Sequence, residues 1–386
     1  MGLMAPAWLG CRGNANRTGG GGEARSAERA APSADQAAPS APDAAREVGS
    51  GDRLERLEVR GEARVRGQAH GAAHRDLIAG CVSSFMQATA ALRATPEGSA
   101  RWSGAVDSVA KRLGRDAPPA LQELQGIAAE AGVDEAAHLA YALEEDLLPA
   151  LDVAVARARI DTWLASDVLA IPNLTGRVTR LLFRMDRAGP LTLIDHVGDR
   201  VETPMLLLGR PGTLGCFGIN RGGLACARQP LFDGQFVADG MLSNQMFRQI
   251  LKAKDHHGAS ASANDWRPTF GTSFFIADSQ SALSIEVSSA GGRILGAFKR
   301  SAVAAHTNHR VGPVPSADAL AQGSLARLKT MRSLIPYGED PELKVLIKKF
   351  QAVAKPAEGS PPRLLFATNL KPSGTQLSWR SELAAP

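Results

Sequence analysis

No apolar run in this chain is long enough to cross a bilayer as a helix. Cysteine is scarce. The four present are Cys11, Cys81, Cys216 and Cys226, and none forms a C-x-x-C pair. A zinc site of the usual ligand spacing is therefore excluded, and no metal or cofactor is expected. Aromatic residues make up 5%, and no dense Lys/Arg run is interleaved with them. The formal charge of +5 then reads as a solvated surface, and a nucleic-acid partner is not expected, because such binding needs a concentrated basic footprint. Residues 12–50 lack leucine, isoleucine, phenylalanine, methionine and tryptophan altogether. A segment of Gly, Ala, Pro, Ser and charge cannot bury enough apolar surface to offset its ordering entropy. Residues 1–53 are expected to be a disordered tether.

Ahead of that tether stands MGLMAPAWLGC, a short apolar run ending in Gly10-Cys11. It resembles the end of a bacterial lipoprotein signal, although the basic stretch that opens such signals is missing and Trp8 is out of pattern. The resemblance implies lipidation of Cys11, a membrane tether and a place in the bacterial cell envelope. Without it the location is open between envelope and cytoplasm.

What is present begins near residue 54. The chain has 386 residues, 44% of them hydrophobic, enough for one large domain or two. RLERLEVRG reads as a short strand running into a helix. PALQELQGIAAEAGV and DEAAHLAYALEEDLLPALDVAVARARIDTWLA carry apolar residues at helical spacing, with Asp134 as N-cap of the second. Residues 54–157 are thus expected to be mainly helical. From 158 to 386 short strands alternate with Gly, Pro, Asp and Ser: RVTRLLFRM, GPLTLIDHV, TPMLLLG, TLGCFGI, GLACARQ, TSFFIADS, ALSIEVSS and ILGAFK. MLSNQMFRQILKAK and SADALAQGSLARLKTMRSLI read as helices between them, and PRLLFATNLKPSGTQLSWRSE as a closing hairpin. Strands in consecutive hairpins with helices gathered between them indicate an α+β class with largely antiparallel sheets. In the hairpin around Asn220-Arg221-Gly222-Gly223, pairing Ile219 with Leu224 would set Phe217 opposite Cys226 and put Cys216 on the other face, which disfavours a disulfide. DHHG at 255–258 reads as exposed capping residues at a helix C-terminus.

Several stretches occur together in order: VRGQAHG, ELQGIAAEAGV, GCFGINRGGLAC, SFFIADSQSALSIEVS, HTNH at 306–309, SLARLKTMRSLI and the closing hairpin. Over residues 58 to about 380 they resemble the acyl-coenzyme A:6-aminopenicillanic acid acyltransferase family of N-terminal-nucleophile (Ntn) hydrolases. The resemblance implies a four-layer αββα sandwich with an N-terminal helical region, formed by residues 54–386. It also implies a precursor that cuts itself just before a cysteine. The new N-terminal residue then attacks an amide or acyl thioester of a small molecule, its own α-amine acting as base.

The chain departs from the family at the nucleophile. The window 158–182, ARIDTWLASDVLAIPNLTGRVTRLL, has no cysteine. Thr162 and Thr179 are the two candidates there, and each is equally an ordinary threonine, Thr162 at a helix end and Thr179 in a strand. Asp195 or Asp199 of LTLIDHVGD is a loose stand-in for the family's organising Asp, and Arg363 matches a family Arg only poorly. The family's oxyanion donor carries over to Asn308, with Asn220, His306 and His309 as weaker substrate-side or packing positions. Two functions follow: an acyltransferase or amidohydrolase using Thr, or a non-catalytic relative serving as a binding or envelope-associated protein.

Overall fold

The computed structural model describes residues 56–152, 154–156, 166–172, 179–186, 190–197, 204–231, 236–263, 266–288, 291–298, 304–308, 319–334, 345–346, 349–350, 363–370 and 380–383. The expected tether at 1–53 and Cys11, Thr162, Asp199 and His309 lie outside them. The class is α+β.

The chain enters as strand β1 (Arg56–Arg60) and then runs through helices α1 (Ala63–Ala73), α2 (Arg75–Ala88), α3 (Pro96–Asp116), α4 (Pro118–Ala131), α5 (Glu135–Ala142) and α6 (Glu144–Leu151). Thr95 caps α3 by accepting from Gly98 N at 3.0 Å, and Asp134 caps α5 by accepting from Ala137 N at 2.9 Å. The helical motifs owe their pattern to close packing. A Cβ on Gly67 would stand 2.0 Å from the carbonyl oxygen of Glu123, and one on Gly126 would stand 2.3 Å from that of Arg64. The glycines of RGQAHG and ELQG let α1 and α4 approach to backbone contact.

The long helix expected from Asp134 onward is instead broken at Leu143 (φ −114°). The break turns three consecutive acids inward. Glu144 pairs with Arg210, Glu145 with Arg228, and Asp146 accepts from Ser243 N at 3.0 Å and Ser243 Oγ at 2.8 Å. Periodicity could not reveal this, because buried carboxylates follow their partners rather than an apolar stripe.

Next come β2 (Ser166–Pro172), β3 (Thr179–Asp186), β4 (Thr192–Val197), β5 (Met205–Gly209), β6 (Phe217–Asn220), β7 (Ala225–Pro230), α7 (Ser243–Lys252), α8 (His256–Ala263), β8 (Thr272–Ala277), β9 (Ala282–Ser288), β10 (Gly291–Phe298), β11 (Ala304–His306), α9 (Ala319–Ser333), β12 (Arg363–Leu370) and β13 (Arg380–Leu383). The strands form two sheets, ordered β1-β4-β5-β6-β7-β8-β9-β10 and β11-β2-β3-β12-β13. All pairs are antiparallel except β1 with β4. Val168, Leu181 and Phe183 of the smaller sheet pack on Leu208, Phe217 and Phe275 of the larger. The other face of the larger sheet buries Phe274, Ile276 and Ile285 against Met246, Phe247 and Ile250 of α7. The other face of the smaller sheet buries Leu169, Ile171 and Leu182 against Leu328 and Met331 of α9 and Phe350.

Two local expectations need correction. In the β6–β7 hairpin Ile219 pairs with Ala225 and Gly218 with Cys226, one residue off the expected register. The turn spans Asn220 to Leu224, with Leu224 N donating to Asn220 Oδ1 at 3.0 Å and Gly223 at φ +84°. Cys216 packs toward the smaller sheet and Cys226 toward α7, on opposite faces. His256, expected as an exposed cap, is buried at the start of α8, where its Nδ1 meets Asp278 Oδ2.

Candidate functional site

Strand β11 is three residues long and pairs with β2, His306 opposite Val168. The ladder ends at that pair, and Asn308, two residues past it in a bend, follows on toward the end of β2 that Ser166 begins. On the other side of β2, Ser166 pairs with Met185, and the next residue, Asp186, pairs with Arg363 at the start of β12. One end of the smaller sheet therefore gathers Ser166, Asp186 and Arg363 by backbone register, and the chain leaving β11 carries Asn308 toward that end.

The HTN stretch at this end is tied in three directions. His306 Nδ1 lies 3.0 Å from Gln229 Oε1 of β7 and 3.2 Å from Ser273 Oγ of β8, and its Nε2 lies 3.2 Å from Glu286 Oε1 of β9. Thr307 Oγ1 donates to the carbonyl of Ser324 on α9 at 3.1 Å and accepts from Ser324 Oγ at 2.8 Å. Asn308 Nδ2 donates to the carbonyl of Pro230 at 3.3 Å. All three residues are buried. Beside them Asp167, the second residue of β2 and fully buried, accepts from Arg327 Nε of α9 at 3.0 Å. Both ends of the Ser-x-x-Arg segment that opens SLARLKTMRSLI thus hold the start of β2 and the end of β11.

The remaining candidates lie elsewhere. Thr179 is the first residue of β3 and pairs with Pro172, the last of β2. It sits six residues along the hairpin from Ser166, about 20 Å at 3.3 Å per residue. It is fully buried and its hydroxyl has no hydrogen-bond partner among the described residues. Asp195 is on β4 and accepts from Arg56 Nε at 3.0 Å. Three strand spacings separate β4 from β7, about 14 Å, so Asp195 is not brought to His306 or Asn308. The Asn220 amide is spent on structure, donating at 2.9 Å to the carbonyls of Leu251 and Ala253 at the end of α7.

Sequence reading missed Ser166, Asp167, Gln229, Ser273, Glu286 and Arg327. Glu286 and Ser284 share one face of ALSIEVSS, with Leu283, Ile285 and Val287 on the other. That alternation reads as a half-solvated strand. Here the polar face is covered by the second sheet, and the signal was a carboxylate that His306 could answer.

No family model matches the sequence, and no curated protein matches it. Among solved structures, a mutant conjugated bile acid hydrolase from Clostridium perfringens is similar over 57% of this chain and 97% of that chain, with a TM-score of 0.35 and 9% sequence identity.

Proposed function

We propose that this chain is a divergent Ntn-type protein of the acyltransferase-like kind, acting on an amide or acyl thioester of a small molecule. Its site is the end of the smaller sheet where β2 begins. The observation that carries this reading is the β11–β2 pairing, which ends with His306 opposite Val168 and leaves Asn308 just beyond it, toward the end of β2 that Ser166 begins. An Ntn mechanism needs an oxyanion donor beside the start of a core strand. The two stacked sheets, with α7 outside one and α9 outside the other, are the packing expected of an αββα sandwich.

In this reading Ser166 takes the nucleophile slot in place of Thr162 or Thr179, and Asp186 takes the organising role in place of Asp195. The Ser166 hydroxyl adds to the carbonyl of Ala165, the C–N bond breaks to free the Ser166 amine as the peptide becomes an ester, and water then hydrolyses the ester, leaving a carboxylate on Ala165 and the hydroxyl on Ser166. That amine then serves as base when the hydroxyl attacks substrate, and it passes the proton to the leaving group. A second reading, a non-catalytic binding or envelope-associated protein, is favoured by the Asn308 amide already donating to Pro230.

Denaturing intact-mass measurement separates the two. Two pieces, the second beginning at Ser166 and absent in Ser166→Ala, support the enzyme. A single uncut chain that hydrolyses neither amides nor thioesters leaves the binding protein.

A further inference from the structure

His306 and Glu286 form an ionisable pair inside an apolar layer. His306 Nε2 lies 3.2 Å from Glu286 Oε1, and the two side chains are 1% and 2% exposed. Ala304 of β11, Val168 of β2, Ala227 of β7, Phe275 of β8 and Ala282 of β9 fill the same layer between the sheets. Two apolar residues in such a place are often no less stable, because desolvating an ionisable pair costs as much as its attraction returns. Packing alone therefore does not account for the pair. We infer that His306, held by Glu286, is a positioning residue of the proposed site and acts through Asn308. This rests on the proposed function, in which Asn308 is the oxyanion donor.

Strand β11 does not hold Asn308 by its ladder. Three of its residues pair with β2, from Ala304 opposite Ala170 to His306 opposite Val168, and Asn308 follows in a bend beyond them. Side-chain ties take over where the ladder stops. His306 Nδ1 lies 3.0 Å from Gln229 Oε1, and Asn308 Nδ2 donates to the carbonyl of Pro230, the next residue of β7, at 3.3 Å. The stretch is thus docked on two neighbouring residues of one strand. An amide nitrogen carries two protons, so aiming one at Pro230 also sets the line of the other. That line is as firm as the backbone from 306 to 308.

Glu286 fixes the ring that fixes this backbone. An ionised carboxylate only accepts, so Nε2 donates to it. Nδ1 has Ser273 Oγ at 3.2 Å as well as Gln229 Oε1, and is served whether it donates or accepts. Thr307, between the two, is held from the opposite side by Ser324 of α9. Loss of the Glu286 bond would free the ring, loosen its contact with Gln229 and let Asn308 swing on Pro230.

The test is the rate at which the full chain cuts itself after cell-free synthesis, followed by denaturing intact mass. His306→Leu combined with Glu286→Leu removes both groups and strands neither. Its urea midpoint should stay close to that of the wild type. Its cutting should slow by about 10- to 100-fold, the effect of a group displaced by about 1 Å. A purely structural role would move the midpoint and leave the rate, and cutting at the wild-type rate overturns the inference. If the double variant loses stability or does not fold, Glu286→Gln decides. It keeps the shape, removes the charge from the bond to His306 and should slow cutting by about tenfold at an unchanged midpoint. An unchanged rate in Glu286→Gln overturns the inference. A wild-type chain that is never cut removes the proposed function and this inference with it, whereas a wild type that is cut no faster than its variants removes the inference alone.

Discussion

Asn308 donates its side-chain amide to the carbonyl of Pro230, 78 residues earlier, and so pins the end of β11 to the end of β7 across the two sheets. The same amide is the oxyanion donor of the proposed site. Asn308→Ala should cost about 1–3 kcal/mol of stability for the buried hydrogen bond, read from a denaturant midpoint. In an active protein it should also lower turnover by roughly 100- to 1,000-fold. Loss of stability with self-cleavage and turnover intact would limit Asn308 to bracing.

Gly67 against the Glu123 carbonyl leaves no space for a methyl group. Gly67→Ala should push α1 off α4 and destabilise the protein by about 1–3 kcal/mol or more, the range of overpacked cores. Gly104 of α3 has nothing near it, and Gly104→Ala should be neutral or stabilising by up to about 1 kcal/mol. The pair measured by thermal melting distinguishes packing from helix propensity.

Arg228 holds Glu145 and Ser243, its Nη2 donating to Glu145 Oε1 at 3.2 Å and its Nη1 to Ser243 Oγ at 2.5 Å. Burial pushes the Glu145 carboxyl above its usual range even with Arg228 opposing it. Arg228→Met should therefore cost about 3–5 kcal/mol, the penalty of stranding a buried charge. Adding Glu145→Gln should recover a large part of that, and a double-mutant cycle would measure the coupling.

The stability held by two buried histidines should be lost as the solution is acidified below neutrality, with the raised carboxyls of Glu145 and Asp146 acting in the opposite direction. Burial lowers His138 to about 4, against the bond to Gly212, and burial reinforced by His74 lowers His70 to about 3. Between pH 6.5 and those values the unfolded chain binds protons that the folded chain refuses, so stability rises with pH and is lost on acidification. His138 alone accounts for on the order of 3 kcal/mol between pH 6.5 and 4. Glu123 acts in the same direction below its ordinary pKa of 4.5. Burial opposes its ionisation, but Arg248, His196 and Arg66 outweigh burial and hold the carboxyl well below its usual range. Urea midpoints at pH 7, 6, 5 and 4 should decline, and His138→Gln should flatten the slope.

The sequence made the strands and amphipathic helices legible because each carries its own period. Eight strand-like stretches from RVTRLLFRM to ILGAFK became β3 to β10. Strand β2 was not read, since SDVLAIP is apolar on both faces and follows a helical pattern. Both its faces are covered, Val168 by the larger sheet and Leu169 by α9. That omission had a consequence at the site. Without β2, the candidates were the window's threonines and Asp195 of β4, and Ser166 and Asp186, which the proposed function takes up, were not weighed beside them. The role of HTN was legible only as polarity, because its partners come from β7, β8, β9 and α9, up to 78 residues away.

Strand β1 runs beside β4, Arg56 opposite Leu193 through Arg60 opposite Val197, so the first strand is stitched to a neighbour more than 130 residues later. A chain severed before Ser166 would keep one strand of that pair on each piece. The Glu144–Arg210 and Glu145–Arg228 pairs would also span the cut. The halves would travel together through a sizing column and part only in denaturant. A processed molecule would thus pass as whole in every native assay, and once parted its N-terminal piece would return the larger sheet's edge strand only as a ligand returns to its groove.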